Sequence, residues 1–187
     1  MADYLVGQTG EGPSSCATLA DCAERVKARV DRHQALQDML LAITTASQTN
    51  FQGNEGLLAD CLTGLSALLP DSVIQQALQL VDQGEVSCIQ SRRGRRLYSV
   101  RGKGVSHMVI ANGLYCSCPY YAMRVIEAGE LCCKHWLAVQ LALAKLTPNG
   151  TDGDSLGPDR VQILEEEDFV DYIRQHFASP VGPRGRN

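Results

Sequence analysis

Residues 115–146 read YCSCPYYAMRVIEAGELCCKHWLAVQLALAKL, and the fold turns on how this stretch is parsed. Its second half has a helical period, with Trp136, Val139, Leu143 and Leu146 on one face and Leu137 and Leu141 adjacent. A helix near 134–146 that is apolar on most sides belongs at the centre of a core. The first half carries Cys116, Cys118, Cys132, Cys133 and, two positions on, His135. A short helix near 120–128 separates the two ends of this cluster.

Upstream of Tyr115 the period is two. Val86, Cys88 and Gln90 alternate with Ser87, Ile89 and Ser91, as in a strand. Arg92-Arg93-Gly94 makes a turn, residues 96–100 a second strand, and Gly102-Lys103-Gly104 another turn before Val105–Ala111. Asn112-Gly113, two residues that tolerate positive φ, predicts a tight hairpin back to Tyr115-Cys116. The sheet expected is an antiparallel meander of three or four strands.

Further upstream the pattern is helical. Leu19, Cys22 and Ala23, Val26 and Val30 recur at steps of three and four, and Leu36, Met39, Leu40 and Ile43 continue the stripe. Thr44–Asn54 is polar and reads as a link. A second helix over about 55–69 presents Leu57, Leu58, Cys61, Leu62, Leu65, Leu68 and Leu69, and Pro70 stops it. Ser72 and Gln75 fit a capping box for a third helix, which Gly84 ends and whose buried face is Val73, Ile74, Ala77, Leu78 and Val81. At the other end, acids at 165–168 and Arg174 and His176 suit the two poles of a helix over 165–177, docked by Phe169, Val170, Ile173 and Phe177. The class is α+β. The divisions expected are a disordered terminus (1–15), a helical region (16–84), a meander with the cysteine cluster (85–146), a linker (147–160), a C-terminal helix (161–178) and a disordered tail (179–187).

Composition bounds the function. The chain has 187 residues, 44% hydrophobic and 20% charged, which are globular values. No apolar run approaches the roughly 18 residues that cross a bilayer, so no membrane role is expected. Aromatics at 5% argue against a carbohydrate platform or an aromatic cage. Eight cysteines without a visible secretory signal point to a reducing compartment, where thiols bind metal or pack in cores. The net charge of −4 hides an asymmetry. Residues 1–83 carry ten acids against four bases, 84–149 three against nine, and 150–187 eight against four. Positive charge therefore gathers where the cysteines cluster.

Cys116, Cys118, one of Cys132 and Cys133, and His135 offer three thiolates and one imidazole. Zn²⁺ favours such ligands in a tetrahedron, about 2.3 Å from sulfur and 2.0–2.1 Å from nitrogen. Cys116 and Cys118 sit at the hairpin exit. Residues two apart do not share a helix face, so the later cysteine must lie just before the helix and His135 in its first turn. A metal there joins meander to helix. Four protein ligands leave no open position, so the zinc expected is single and structural.

The stretch CSCPYYAMRVIEAGELCCKHWLAVQLA resembles the SWIM zinc finger, whose pattern is Cys-x-Cys-x(n)-Cys-x-His. Residues 77–100, ALQLVDQGEVSCIQSRRGRRLYSV, are similar to the SWIM-containing subunit of Shu complexes, and the likeness extends over about 70–146. The resemblance assigns the ligands to Cys116, Cys118, Cys133 and His135. It implies a nuclear, non-enzymatic adaptor that pairs with a recombinase-paralogue-like protein. It further implies support of RecA-family recombinase filaments on single-stranded DNA during homologous recombination. Residues 1–50 have no counterpart in it.

Arg92, Arg93, Arg95, Arg96, Arg101 and Lys103 form a basic stretch without an acid. It suits DNA phosphates, a solvated hairpin tip or an acidic partner surface. With only Tyr98 nearby, base stacking has thin support. His33, His107 and His176 have no ligand partners close in sequence and read as surface or satisfied core residues. Cys16, Cys22, Cys61 and Cys88 read as core packing. An enzyme using Cys133 and His135, or a zinc hydrolase, is disfavoured because the same residues saturate the metal. No phosphate loop for an ATPase is present. A SWIM adaptor in ubiquitin transfer or of transposase descent is the alternative setting.

Overall fold

The computed structural model describes residues 18–48, 55–102, 104–113, 115–145 and 160–177. The elements in chain order are α1 (Leu19–Gln48), α2 (Glu55–Leu68), α3 (Asp71–Asp82), β1 (Val86–Ser91), β2 (Arg96–Arg101), β3 (Ser106–Ile110), β4 (Tyr115–Cys116), a π-helical segment (Tyr121–Glu127), α4 (Lys134–Lys145), β5 (Val161–Leu164) and α5 (Glu166–Phe177). The expected terminus (1–15), the tail (179–187), residues 147–159 of the linker, Cys16 and Lys103 lie outside the described residues. So do the side chains of Leu57, Leu58, Cys61, Leu62 and Phe177, and Leu146 as a whole.

The sheet is ordered β4-β3-β2-β1-β5. β1 through β4 are the antiparallel meander, while β5 lies parallel to β1 with Cys88 opposite Val161 and Ser91 opposite Leu164. This corrects two expectations. The sheet has five strands and is mixed, and residues 161–164 are strand rather than helix. Val161-Gln162-Ile163-Leu164 is too short to show a period of its own. Its strand form comes from the edge that β1 offers.

The alternation of β1 is incomplete, since Cys88 and Ile89 are both buried. One sheet face joins the main core, with Val86, Cys88, Tyr98, Val100 and Val109 packed against Trp136, Leu137 and Val139 of α4. The opposite face carries a second, smaller core in which Phe169 of α5 closes over Ile89, Leu97 and Met108. A strand covered on both sides loses its polar face.

α4 occupies the centre as its composition requires: Trp136 through Val139, Leu141, Ala142 and Ala144 are buried. α1 and α3 pack on α4, and α2 on α1. Only the second half of the α1 stripe is covered, by way of Leu36, Leu40 and Ile43, whereas Leu19, Val26 and Val30 are exposed. Helix extends through Thr44–Gln48, where a link was expected. Thr44 and Thr45 satisfy their hydroxyls within it by donating to the carbonyls of Leu40 and Leu41.

The capping box expected for α3 is not formed. Pro70 occupies the N-cap with no side-chain hydrogen bond, and its carbonyl accepts from the Val73 and Ile74 amides. The C-terminal stop is as expected: Gly84 sits at φ 71°, the Gly84 amide donates to Val81 and the Glu85 amide to Leu80. That pairing is a Schellman motif, and it aims the chain directly into β1. The Asn112-Gly113 turn differs too. Residues 111–113 form a 3₁₀ turn, and Gly113 is not in the left-handed region. The carbonyl of Ala111 accepts from the side chains of Trp136 (Nε1, 3.2 Å) and Gln140 (Nε2, 3.2 Å), so α4 rather than the local pair sets this turn.

Replacing Phe169 by alanine empties the smaller core. The expected loss is about 3 kcal/mol, read by chemical denaturation, with metal content unchanged.

Candidate metal centre

Cys116 ends β4 and Cys118 follows one residue later. Ser117 between them is held against β3: its amide donates to the Met108 carbonyl (2.9 Å), and the Met108 amide donates to its hydroxyl (2.9 Å). This pair of hydrogen bonds to one residue fixes the knuckle, and both flanking sulfurs turn inward. The chain then departs through the π-helical segment, whose wider turn is marked by the Ala128 amide donating to Met123. Glu130 gathers the excursion back, accepting from Tyr120 Oη (2.5 Å) and Arg124 Nε (2.7 Å). Gly129 at φ 77° makes the final bend. Cys133 stands just before α4, where its carbonyl accepts from the Leu137 amide, and His135 lies in the first turn.

The donor atoms of Cys116, Cys118, Cys133 and His135 all lie within 4.8 Å of one another, and all four residues are buried. Cys116 Sγ is 3.9 Å from His135 Nδ1. A zinc tetrahedron needs edges of about 3.6–3.8 Å, so small side-chain rotations close the site. Backbone amides already serve two sulfurs: Tyr121 N donates to Cys118 Sγ (3.3 Å) and Trp136 N to Cys133 Sγ (3.5 Å). Such bonds orient ligands and soften their charge.

Electrostatics gives the cluster its need for a cation. Hydrogen bonds from the Cys116 and Cys133 thiols hold Cys118 far below the usual thiol range. The same sharing with Cys118 and Cys133, reinforced by burial, pushes Cys116 far up. For Cys133, the Cys116 hydrogen bond lowers the value, but the bond to Cys118 and burial outweigh it and leave the thiol at about 12. Three buried sulfurs this close together resist carrying three negative charges unaided. Three thiolates need a bound dication, and three sulfurs with one imidazole suit a closed Zn²⁺ site with no open coordination position.

Cys132 is buried but contributes no donor to this group, and burial raises its thiol strongly. Of the two vicinal cysteines, Cys133 is the one whose sulfur converges with the others. His107 is the residue that sequence reasoning missed. Its ring centroid lies 4.4 Å from that of His135, and burial, then His135, pushes its pKa down. The usable signal was alternation along β3, which puts His107 on the same side as Val109, the partner of Cys116. His176 Nδ1 donates to the Tyr172 carbonyl (2.8 Å), as a satisfied residue. Cys88 is core and Cys22 only half-buried.

The basic stretch is divided by the hairpin. Arg92, Arg93 and Arg95 lie at the β1–β2 turn, Arg96 opens β2, and Arg101 ends that strand. The acids missing from the local sequence arrive from elsewhere. Arg92 pairs with Glu165 (2.5 Å), Arg95 with Glu166, and Arg101 with Glu85 (2.8 Å), while the Arg93 amide donates to Glu166 (3.0 Å). Arg96 Nε donates to Gln90 (2.9 Å), and Arg95 also covers the Phe169 ring.

The chain is 40% identical over 85 residues to the mouse protein named zinc finger SWIM domain-containing protein 7, covering 44% of this chain and 55% of that one. It is 42% identical to the human protein of that name over 69 residues (36% and 49%) and 42% identical to the zebrafish one over 71 (37% and 51%). The similarity is to SWIM-type zinc finger proteins. This chain spans about half the length of the curated relatives it matches. No family model and no solved structure matches it. Among the described residues no helix is long and apolar enough to cross a membrane.

Serine at Cys133 removes a converging ligand, and serine at Cys132 does not. Cys133→Ser is expected to lose bound metal and cooperative unfolding. Cys132→Ser should retain metal, as elemental analysis and thermal melts will show.

Proposed function

We propose that this chain is a non-catalytic, zinc-stabilised adaptor of the SWIM type, acting as a subunit of a Shu-like assembly in homologous recombination. The observation that carries the reading is the convergence of Cys116, Cys118, Cys133 and His135, in a chain similar to named SWIM proteins. Four buried protein donors saturate a tetrahedral ion, so zinc here cross-links and does not activate water. Structural zinc of this kind contributes on the order of 10–16 kcal/mol, as much as a whole small domain. What the metal supplies is a rigid joint between sheet and α4.

On this reading the partner is a recombinase-paralogue-like subunit, the setting is the nucleus, and the shared product is a longer-lived RecA-family filament on single-stranded DNA. DNA contact by the hairpin is a separable part. Phosphates would have to displace Glu165, Glu166 and Glu85 from Arg92, Arg95 and Arg101. Exposed pairs of that kind are worth at most about 1 kcal/mol each, so exchange is affordable. Each neutralised phosphate would steepen the salt dependence of binding.

Affinity purification from cells, with zinc counted per chain, tests the proposal. A recombinase-paralogue-like subunit should co-purify, and the pair should slow filament disassembly on single-stranded DNA. Absence of both effects from a zinc-loaded, folded chain contradicts the recombination reading. Within the assembled complex, Arg95→Glu with Arg96→Glu should weaken DNA binding and flatten its salt slope. Unchanged binding removes the hairpin from the DNA contact.

A further inference from the structure

β5 is the outer strand of the sheet, and among the described residues no strand lies beyond it. Its hydrogen-bond parity is fixed by one bond: the Arg92 amide donates to the Leu164 carbonyl (3.1 Å). In a parallel pair a residue turns both its N–H and its C=O to the same side, and neighbours alternate. Leu164 and Gln162 therefore face β1, and Val161 and Ile163 direct their amides and carbonyls outward. No described residue takes them.

Edge strands are usually blunted by charge, proline or a bulge. VQIL has no charged residue and no proline, and Ile163 is 64% exposed. Beside it runs a groove of about 600 Å³ lined by Gln90, Arg92, Ile163, Leu164, Glu165 and Asp168. Glu165 and Glu166 are held by arginines of the β1–β2 turn. Glu167 and Asp168, in the first turn of α5, are exposed, and no described residue pairs with either.

We propose that β5 is a docking edge for an extended segment of a partner protein, added as a sixth strand, with apolar residues alternating with Lys or Arg. The outward backbone groups of Val161 and Ile163 demand a strand rather than a helix. A residue of the incoming strand opposite Ile163 projects to the same face and covers that side chain. Its neighbours project to the α5 face, where Asp168, which lines the groove, selects a cation. Charge also argues against a second copy. A second copy would offer its own Val161-Gln162-Ile163-Leu164, which brings no cation within the strand to Asp168. The inference does not depend on the recombination reading.

The test is a displayed library of short random peptides, selected on the full zinc-loaded chain and counter-selected on Ile163→Pro. That substitution deletes an outward amide and leaves the Gln162 and Leu164 bonds to β1 in place. Selected peptides should alternate apolar and basic residues and bind the variant about tenfold more weakly. They should also slow amide exchange at Val161 and Ile163, but not at Gln162. Methylating alternate backbone nitrogens of the peptide should abolish binding, a result that needs no protein variant. Peptides that bind the variant equally, a selection that yields none, or enrichment of acidic or proline-rich peptides would overturn the proposal. So would self-association lost in Ile163→Pro, or docking that appears only after residues 178–187 are removed.

Discussion

Three buried sulfurs and one imidazole nitrogen within 4.8 Å of one another are the constraint around which the rest is arranged. Taken alone they are a poor core. Polar groups with few outside partners sit where apolar side chains would pack, and like charges on neighbouring buried sulfurs repel. A divalent, thiophilic cation turns that liability into the strongest cross-link in the molecule. The surroundings are consistent with such a role. Ser117 is bonded twice to Met108, Glu130 draws the intervening excursion closed, and Cys133 caps α4. Each device fixes a ligand before any ion arrives, and preorganisation of this sort favours binding.

From that joint the architecture extends in two directions. α4 follows Cys133, carries His135 in its first turn and then fills the main core with Trp136, Leu137 and Val139, so the cysteine-histidine group and the hydrophobic centre share one rod. Lys134 adds a tie to α3 through Gln76 (2.7 Å). On the other face, β5 and α5 close a smaller core through Phe169 and clasp the arginine-rich turn with Glu165 and Glu166. The acidic third of the chain and its basic middle are thus partly neutralised within the molecule. A net-charge map of the sequence alone overstates the free positive surface.

Much of this was legible from residue order. The helical stripe over Trp136–Leu143, the Gly84 stop and the two-residue period of β2 report local constraints that tertiary structure did not override. The convergence of the two pairs was legible because residues two apart cannot share one helix face, which draws two elements together, while the choice of Cys133 over Cys132 came from the likeness to the SWIM pattern. What was hidden depended on distant partners. Val161–Leu164 is a strand only because β1 has a free edge, and Ala111–Gly113 curls because Trp136 and Gln140 hold its carbonyl. Ser72 and Gln75 look like a capping box, but Pro70 already supplies the N-cap. His107 stands far from other ligands in sequence and beside His135 in space. The Leu19–Val30 stripe has the right period, but α4 and α2 pack only on the later half of α1.

X-ray absorption at the zinc edge of the protein purified without added metal bears most directly on the account. One zinc per chain is expected, with three sulfur neighbours at about 2.3 Å and one nitrogen at about 2.0–2.1 Å. A metal-free chain that melts as cooperatively as one supplied with zinc, or a shell rich in oxygen with an open position, would contradict it.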